Sequence, residues 1–397
     1  MKGLLKFTLL LCILKSMNYW VFWSIDSKLI YFAAVFSIIV CISNKKRQIW
    51  NSIIKENYTI GFLFLAIYAL YQNTITLSSN ATILSYSNTI MLLYILYSTI
   101  HFKEDFKNEI ISYLEKAMTI LLAPALLIFF LRFVISLPFI PMQYTDSFGN
   151  DPYGLLQNYI FLIHHAEAIV DLASFPRFCG PFLEPGQLAT FLAFLLFVLK
   201  YDFSKRSRYI LLFALICSFS LAGYVLALIG AMMQKSHSIK KIIPLIFLIS
   251  IIYVVGINYN NGNNLLNKYI LVRLEYDEEK GITGNDRSSE ITDRIFEEEL
   301  MSSTTHILFG LPHYKGEAIG GSGYKTYIVK YGVFSLFFLL VAYLVISSSA
   351  RNKRDMLIFS ILLIASFLQR ATPLIFYLPF LYLIALDNTN LYKLDKR

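Results

Sequence analysis

A chain of 397 residues in which 56% are hydrophobic and only 15% charged, with a mean hydropathy of +0.57, lies outside the soluble globular range, where charged residues make up about a quarter. This excludes an ordinary soluble enzyme and predicts a polytopic membrane protein of the all-α class. The formal net charge of +9 comes from basic residues flanking the apolar runs, so it reports orientation and gives nucleic-acid binding no weight.

Apolar runs long enough to close their backbone hydrogen bonds across hydrocarbon begin at the N-terminus, at Leu4 to Ile25, Leu29 to Ser43, Thr59 to Thr76, Ala81 to Ile100 and Tyr113 to Leu137. The first has a basic start but no small-residue cleavage pattern, and Asn18-Tyr19-Trp20 has interface chemistry, so it is read as a retained span. Basicity alternates between the connections: Lys45, Lys46, Arg47 and Lys55 crowd one, Lys28 stands alone in another, residues 77 to 80 carry none, and Lys103 and Lys107 follow. Positive charge on the inner side therefore predicts a cytoplasmic N-terminus and an N-terminal bundle over 1–137.

Residues 138–186 form the first extracytoplasmic segment, too long for a mere connector. Pro138, Pro141 and Gly149-Asn150-Asp151-Pro152 mark turns. Leu155, Tyr159, Leu162, Ile163, Ala166, Ile169 and Val170 recur at helical spacing, with Gln157, His164 and Asp171 opposite, which predicts an amphipathic helix on the membrane surface. His164 and His165 would then point about 100° apart, a poor metal pair.

The central spans, 187–257, start at Gln187 to Lys200. The run Tyr209 to Met233 has basic flanks at both ends, Lys205, Arg206 and Arg208 before it and Lys235, Lys240 and Lys241 after. A break at Ser218-Phe219-Ser220 then favours two short helices that turn inside the membrane; one tilted helix of about 37 Å is the rival. Ile242 to Ile257 leads to a second outer segment, 258–325, with eleven acidic against seven basic residues. Tyr327 to Ile346, Met356 to Leu368 and Leu374 to Leu386 complete the C-terminal part, 326–397, for about twelve spans. Of four cysteines, Cys12, Cys41 and Cys217 fall in apolar runs and Cys179 stands alone in a loop. No disulfide framework or thiolate metal site is expected, and Cys179 is read as structural.

The sequence contains no G-x-x-x-x-G-K-[ST], no D-x-D pair and no H-E-x-x-H, so neither a bound metal nor a nucleotide cofactor is expected. A reaction on the outer face must use a donor already activated in the membrane. Ionisable residues at a span mouth are functional candidates by default. Arg177 and Glu184 flank a Gly-Pro turn ahead of the sixth span. Arg273, Arg287 and Arg294 lie in the second segment. Arginine's planar fork suits a lipid diphosphate; interface snorkelling or surface pairing is the plain alternative. Arg287 and Arg294 stand about 10.5 Å apart on a helix expected over 286–300, and Arg294 has Glu290 and Glu298 at ordinary ion-pair spacing. Glu184 is either the base for an acceptor hydroxyl or the partner that orients Arg177. His313, in a glycine-rich stretch, is a further proton acceptor or an incidental loop residue. The glycines themselves suit either close approach to an anion or mere flexibility.

The run Arg177-Phe178-Cys179-Gly180-Pro181-Phe182-Leu183-Glu184-Pro185-Gly186-Gln187-Leu188-Ala189 resembles the R-x-x-G-x-F-x-E/H-P-N-x-x-A segment of the bacterial O-antigen polymerase and O-antigen ligase families. Gly284-Asn285-Asp286-Arg287, then Leu308-Phe309-Gly310 and Tyr327 through Gly332, resemble their second-loop pattern. The resemblance implies a GT-C-like membrane glycosyltransferase of the inner membrane. Its chemistry would be metal-independent, with undecaprenyl-diphosphate-linked glycan as donor, a chain-length regulator and a repeat-unit flippase as partners, and membrane lipid around it. Carried over, Arg177 and Arg287 hold diphosphate and Arg273 is a less close match. Gly180, Arg294 and Tyr324 are placed with the substrate. Ser322-Gly323-Tyr324 stands where ligases carry a histidine, which favours polymerase over ligase; Gly186-Gln187 in place of asparagine is a smaller departure. A transporter or flippase is the rival of another class. It calls for ionisable groups deep in several spans, whereas Lys15, Arg132 and Lys330 are read as snorkelling near span ends.

Overall fold

The computed structural model describes residues 2–44, 49, 56–76, 83–145, 154–165, 176–235, 254–255, 257–262, 264, 267, 271, 276–277, 281–282, 290–311, 323–367 and 374–386. The described chain is mostly helical and divides into two compact units, residues 1–12, 27–109 and 273–397 in one and 13–26 and 110–272 in the other. Among the described residues two helices are long and apolar enough to cross a membrane, Glu104–Leu131 and Gly323–Ser349. The expected ninth span, Ile242 to Ile257, lies almost wholly outside the described residues.

The first unit contains α2 (Ser27–Asn44), α3 (Glu56–Thr76), α4 (Ile83–Ile100) and, further along the chain, helices numbered below from α9. On α2 the exposed face is Leu29, Phe32, Phe36 and Ile39, and on α3 it is Ile60, Leu63, Ile67 and Leu70. Both stripes follow the three-and-four spacing of one helix face. The outward side is thus as apolar as the inward one, where Ala34, Ile38, Leu65 and Tyr68 are buried. In the second segment α9 (Glu290–Arg294) runs on into a wider π turn, Ile295–Leu300, followed by α10 (Thr304–Phe309) and α11 (Gly323–Ser349). Ile295, Leu300, Leu311 and Val329 form a small core there. Helices α12 (Lys353–Phe367) and α13 (Tyr377–Ile384) close the unit. The Tyr382 hydroxyl links them by donating to the Tyr343 carbonyl at 3.0 Å and accepting from Ser360 at 3.1 Å.

Helix α11 is interrupted at Gly332, whose φ of 71° and ψ of 170° are non-helical. A Cβ there would collide with the Leu308 carbonyl, so only glycine allows the end of α10 to lie this close.

The second unit takes in parts of α1 (Lys2–Ser16) and α5 (Glu104–Leu131) and all of α6 (Pro185–Val198), α7 (Arg206–Cys217) and α8 (Leu221–Lys235). Every residue of α6 from Gly186 to Val198 is buried. Gly223 at the start of α8 leaves no room for a Cβ against Ala189 of α6, and Gln234 near the end of α8 donates to the Phe197 carbonyl at 3.3 Å. α8 therefore runs parallel to α6. α7 runs the other way, from Arg208, hydrogen-bonded to Asp202 just after α6, to Cys217, which accepts from Phe178 ahead of α6. The chain reverses at Phe219 (φ 45°), so the run 209–233 is two helices that turn back, and the single long helix is excluded.

Near Arg208 the unit is tied by a buried ion cluster. Arg208 donates to Glu115 at 3.3 Å and to Asp202 Oδ2 at 2.5 Å, and Ser207 donates to the same Glu115 oxygen at 2.5 Å. Arg208 and Glu115 are each 4% exposed as side chains, so removing one would strand the other's charge.

The expected surface helix over 155–170 is corrected. Residues 155–165 form strands: β1 (Ile140–Met142), β2 (Leu156–Asn158) and β3 (Ile163–His165) make an antiparallel sheet of order β1-β2-β3. Residues 166–170 lie outside the described residues. Gly154 at φ 61° starts the segment, Ile160 at φ 71° turns it, and the Ile163 amide donates to the Gly180 carbonyl at 2.8 Å. Pairing with β1 and with the 177–183 stretch thus outweighs the helical spacing of the apolar residues. A second small sheet, β4 (Tyr276–Asp277) with β5 (Gly281–Ile282), lies within residues 258–325, and the described chain as a whole is mostly helical, compatible with the all-α class.

Candidate functional site

The stretch Arg177 to Glu184 is folded against the end of α7 by local chemistry. The last carbonyls of a helix have no partner within it, and here Arg177 Nε donates to Ser218 O at 3.1 Å while the Phe178 amide donates to Cys217 O at 3.0 Å. A guanidinium at the negative end of a helix dipole is favourably placed. Arg177 is half-buried. Phe178 packs edge-on against Phe129 of α5 at 5.4 Å, which fixes the backbone next to the arginine.

Gly180 has φ +58°, and a Cβ would lie 2.9 Å from Leu122. Its role in the structure is therefore a tight turn, with its carbonyl taken by Ile163. Cys179 is buried and its thiol donates to Ile163 O at 3.0 Å. Burial pushes that thiol up to about 12, against the pull of the Arg177 and Arg132 charges and with a further push from Glu184. The thiol is thus inert at neutral pH, in keeping with a structural role. The charges of Arg177, Arg132 and Glu184 thus all act on the Cys179 thiol.

Glu184 is the residue before α6, extended at φ −127° and ψ 129°, with Pro185 in the first turn. Its carboxylate makes no capping bond to the helix, although a carboxylate at this end is favoured by the dipole. Gln187, the departure from the family pattern, is 2% exposed. It donates to Ser16 O at 2.8 Å and accepts from Asn18 at 3.4 Å, so it fastens the end of α1 to the mouth of α6. Tyr19 pairs with Phe182 across an isolated bridge.

Arg132, expected to snorkel near a span end, follows α5, and its guanidinium lies 4.8 Å over the Tyr159 ring, while Tyr159 donates to Gln157 Oε1 at 2.9 Å. A cation this close to an aromatic face is held by the ring quadrupole. The sequence signal available was the arginine directly after an apolar run. His164 and His165 point to opposite faces of β3, which replaces the expected 100° separation. His165 Nε2 contacts Leu183 O at 3.0 Å. His164 is buried, and burial, the Arg132 charge and His165 push it down to about 3, so its imidazole is neutral at physiological pH.

Within 258–325, Arg273, Arg287 and His313 lie outside the described residues. Arg294 is exposed at the end of α9. Tyr324 opens α11 and meets Phe296 edge-on at 6.3 Å, and Lys325 beside it forms an ion pair with Asp293. No family model, no curated protein and no solved structure matches this chain.

Proposed function

We propose that this protein is a multi-span glycosyltransferase of the bacterial inner membrane. It joins undecaprenyl-diphosphate-linked oligosaccharide repeat units into O-antigen or capsular polysaccharide on the outer face. The observation that carries this reading is Arg177, fixed by the broken end of α7 on the same short stretch that Glu184 ends at the start of α6. The Arg208 ion cluster lies at the opposite end of α6 and α7. A fixed guanidinium and a carboxylate on one stretch suit a reaction in which a diphosphate departs and a hydroxyl loses its proton.

In the proposed step the bond between the anomeric carbon of the donor glycan and its diphosphate oxygen breaks. A hydroxyl oxygen of the acceptor repeat unit bonds to that carbon, and its proton passes to Glu184. Undecaprenyl diphosphate leaves with its charge held by Arg177, and cleavage of the glycosyl–phosphate bond supplies the driving force. Arg287, Arg273 and Tyr324 enter this proposal on the resemblance alone. About twelve spans with a cytoplasmic N-terminus follow from the alternation of basic connections, and the apolar outward stripes of α2 and α3 fit lipid contact.

Arg177→Ala at unchanged protein level is expected to remove long polysaccharide chains while leaving single capped repeat units, read by gel analysis of surface glycan. Loss of the single units as well indicates the ligase reaction. Full-length polymer from the variant overturns the assignment.

A further inference from the structure

Beyond the arginine itself, the end of α5 and the β2–β3 turn enclose a groove of about 390 Å³, lined chiefly by Ile128, Leu137, Phe139, Ile140, Tyr159 and Ile160. Ligand pockets run from about 300 to 1,000 Å³. The surrounding surface is apolar and open: Val134 is 81% exposed, and Phe133, Ile135, Phe139, Ile140, and Ile160 are exposed as well. The turn that forms one wall is held in an unusual shape. Ile160 is β-branched yet has φ 71°, a conformation that costs energy for such a residue. Its amide donates to Asn158 Oδ1 at 2.7 Å, and the Trp20 indole donates to its carbonyl at 2.7 Å. An indole bonded to backbone at such a place is the chemistry of a membrane interface.

Tyr159 belongs to both the groove and the charged cluster. Its ring packs on Phe139 at 5.9 Å and carries the Arg132 guanidinium at 4.8 Å. An apolar slot with a fixed cation at its edge is complementary to a lipid whose chain joins directly to a phosphate. Building on the reading above, we propose that this groove seats the first isoprenoid units of the polyprenyl-diphosphate substrate, with Arg132 against its phosphate oxygens and Tyr159 as the boundary between chain and charge. Arg132 is then a positioning residue that sets where the anomeric carbon lies relative to Glu184.

The test uses the full-length protein in nanodiscs and a polyprenyl diphosphate bearing a photoreactive group on its first isoprene unit. Labelled peptides are mapped by mass spectrometry. Labelling is expected within residues 137–140 and 158–160, displaced by unlabelled polyprenyl diphosphate and not by phosphatidylglycerol. Arg132→Gln should weaken competition by the unlabelled diphosphate about tenfold, the loss of one charge-assisted contact. Ile140→Trp fills the slot from an exposed position that tolerates substitution, and should abolish labelling there while the protein stays monodisperse. Labelling that phosphatidylglycerol displaces equally well, or that survives both substitutions, overturns the proposal. If Arg177→Ala keeps full-length polymer in cells while groove labelling behaves as expected, the lipid slot stands and the polymerase reading falls. The reverse pattern removes the slot alone.

Discussion

Among the described residues, the helical backbone breaks between α7 and α8 and inside α11, and the two breaks are repaired in different ways. Between α7 and α8 the break exposes the carbonyls of Cys217 and Ser218, and these are met by the Phe178 amide and by the charged side chain of Arg177. Inside α11 the break at Gly332 is met by neutral groups. The Tyr71 hydroxyl lies 3.4 Å from both the Phe309 and Tyr331 carbonyls, and the Leu311 amide donates to Val329 O at 2.7 Å. Both solutions satisfy the backbone, which is obligatory wherever water is scarce. Only the first places a permanent cation at the gap, and it is this cation that the proposed function sets against the diphosphate.

The largest expected effect comes from the neutral break. Gly332→Val forces a Cβ into the Leu308 carbonyl at a positive φ, and should cost more than about 4 kcal/mol. The check is loss of the monodisperse peak in detergent, with no comparable loss for Ser220→Ala at the other break. Arg177→Ala should do the opposite: activity falls by about a hundredfold or more, while the protein still folds. Arg177→Lys keeps a charge without the planar fork and should remain far below the native rate in an in vitro chain-extension assay.

Acid separates the two regions further. His164 is held neutral well below the usual histidine range, so the folded state resists a proton that the unfolded chain accepts. Its contribution to stability is whole above pH about 6.5 and falls by about 1.4 kcal/mol per unit as pH drops from there towards its folded value. Thermal melts from pH 7 to pH 4.5 should show this slope, and His164→Gln should flatten it. Asp202 acts lower. Burial raises it, but hydrogen bonds from Ser204 and Arg208 prevail and hold it below the usual carboxylate range, so its contribution disappears only below pH about 4. The smallest effect expected is that of Tyr71→Phe, about 0.5–1.5 kcal/mol for one shared hydroxyl, with polysaccharide length unchanged. A shift in chain length from this variant would show that the neutral break also serves the reaction.

Several features are legible in the sequence. The apolar run expected as a helix from Gln187 is α6, which starts at Pro185 because proline suits a first helical turn. The reversal at Ser218–Ser220 is legible from basic residues at both ends of the run and the break between them. Cys179 was legible as structural because it had no partner cysteine in the loops. Arg132 was not legible as part of the cluster, because what separates it from an ordinary snorkelling arginine is a tyrosine 27 residues further on. Nor was Gln187, whose partners Ser16 and Asn18 lie about 170 positions earlier. In both, the meaning of the side chain is set by a neighbour that the local sequence does not contain.

Helical content was determined by the chain alone, since an apolar run can satisfy its backbone only within itself and that condition is local. The shape of the segment around residues 155–165 was decided by tertiary structure. Its apolar spacing is compatible with a helix or a hairpin, and the choice falls to whichever backbone lies alongside to accept its hydrogen bonds. Here that is β1 and Gly180, and the groove and the contact of Arg132 with Tyr159 exist only because of that choice.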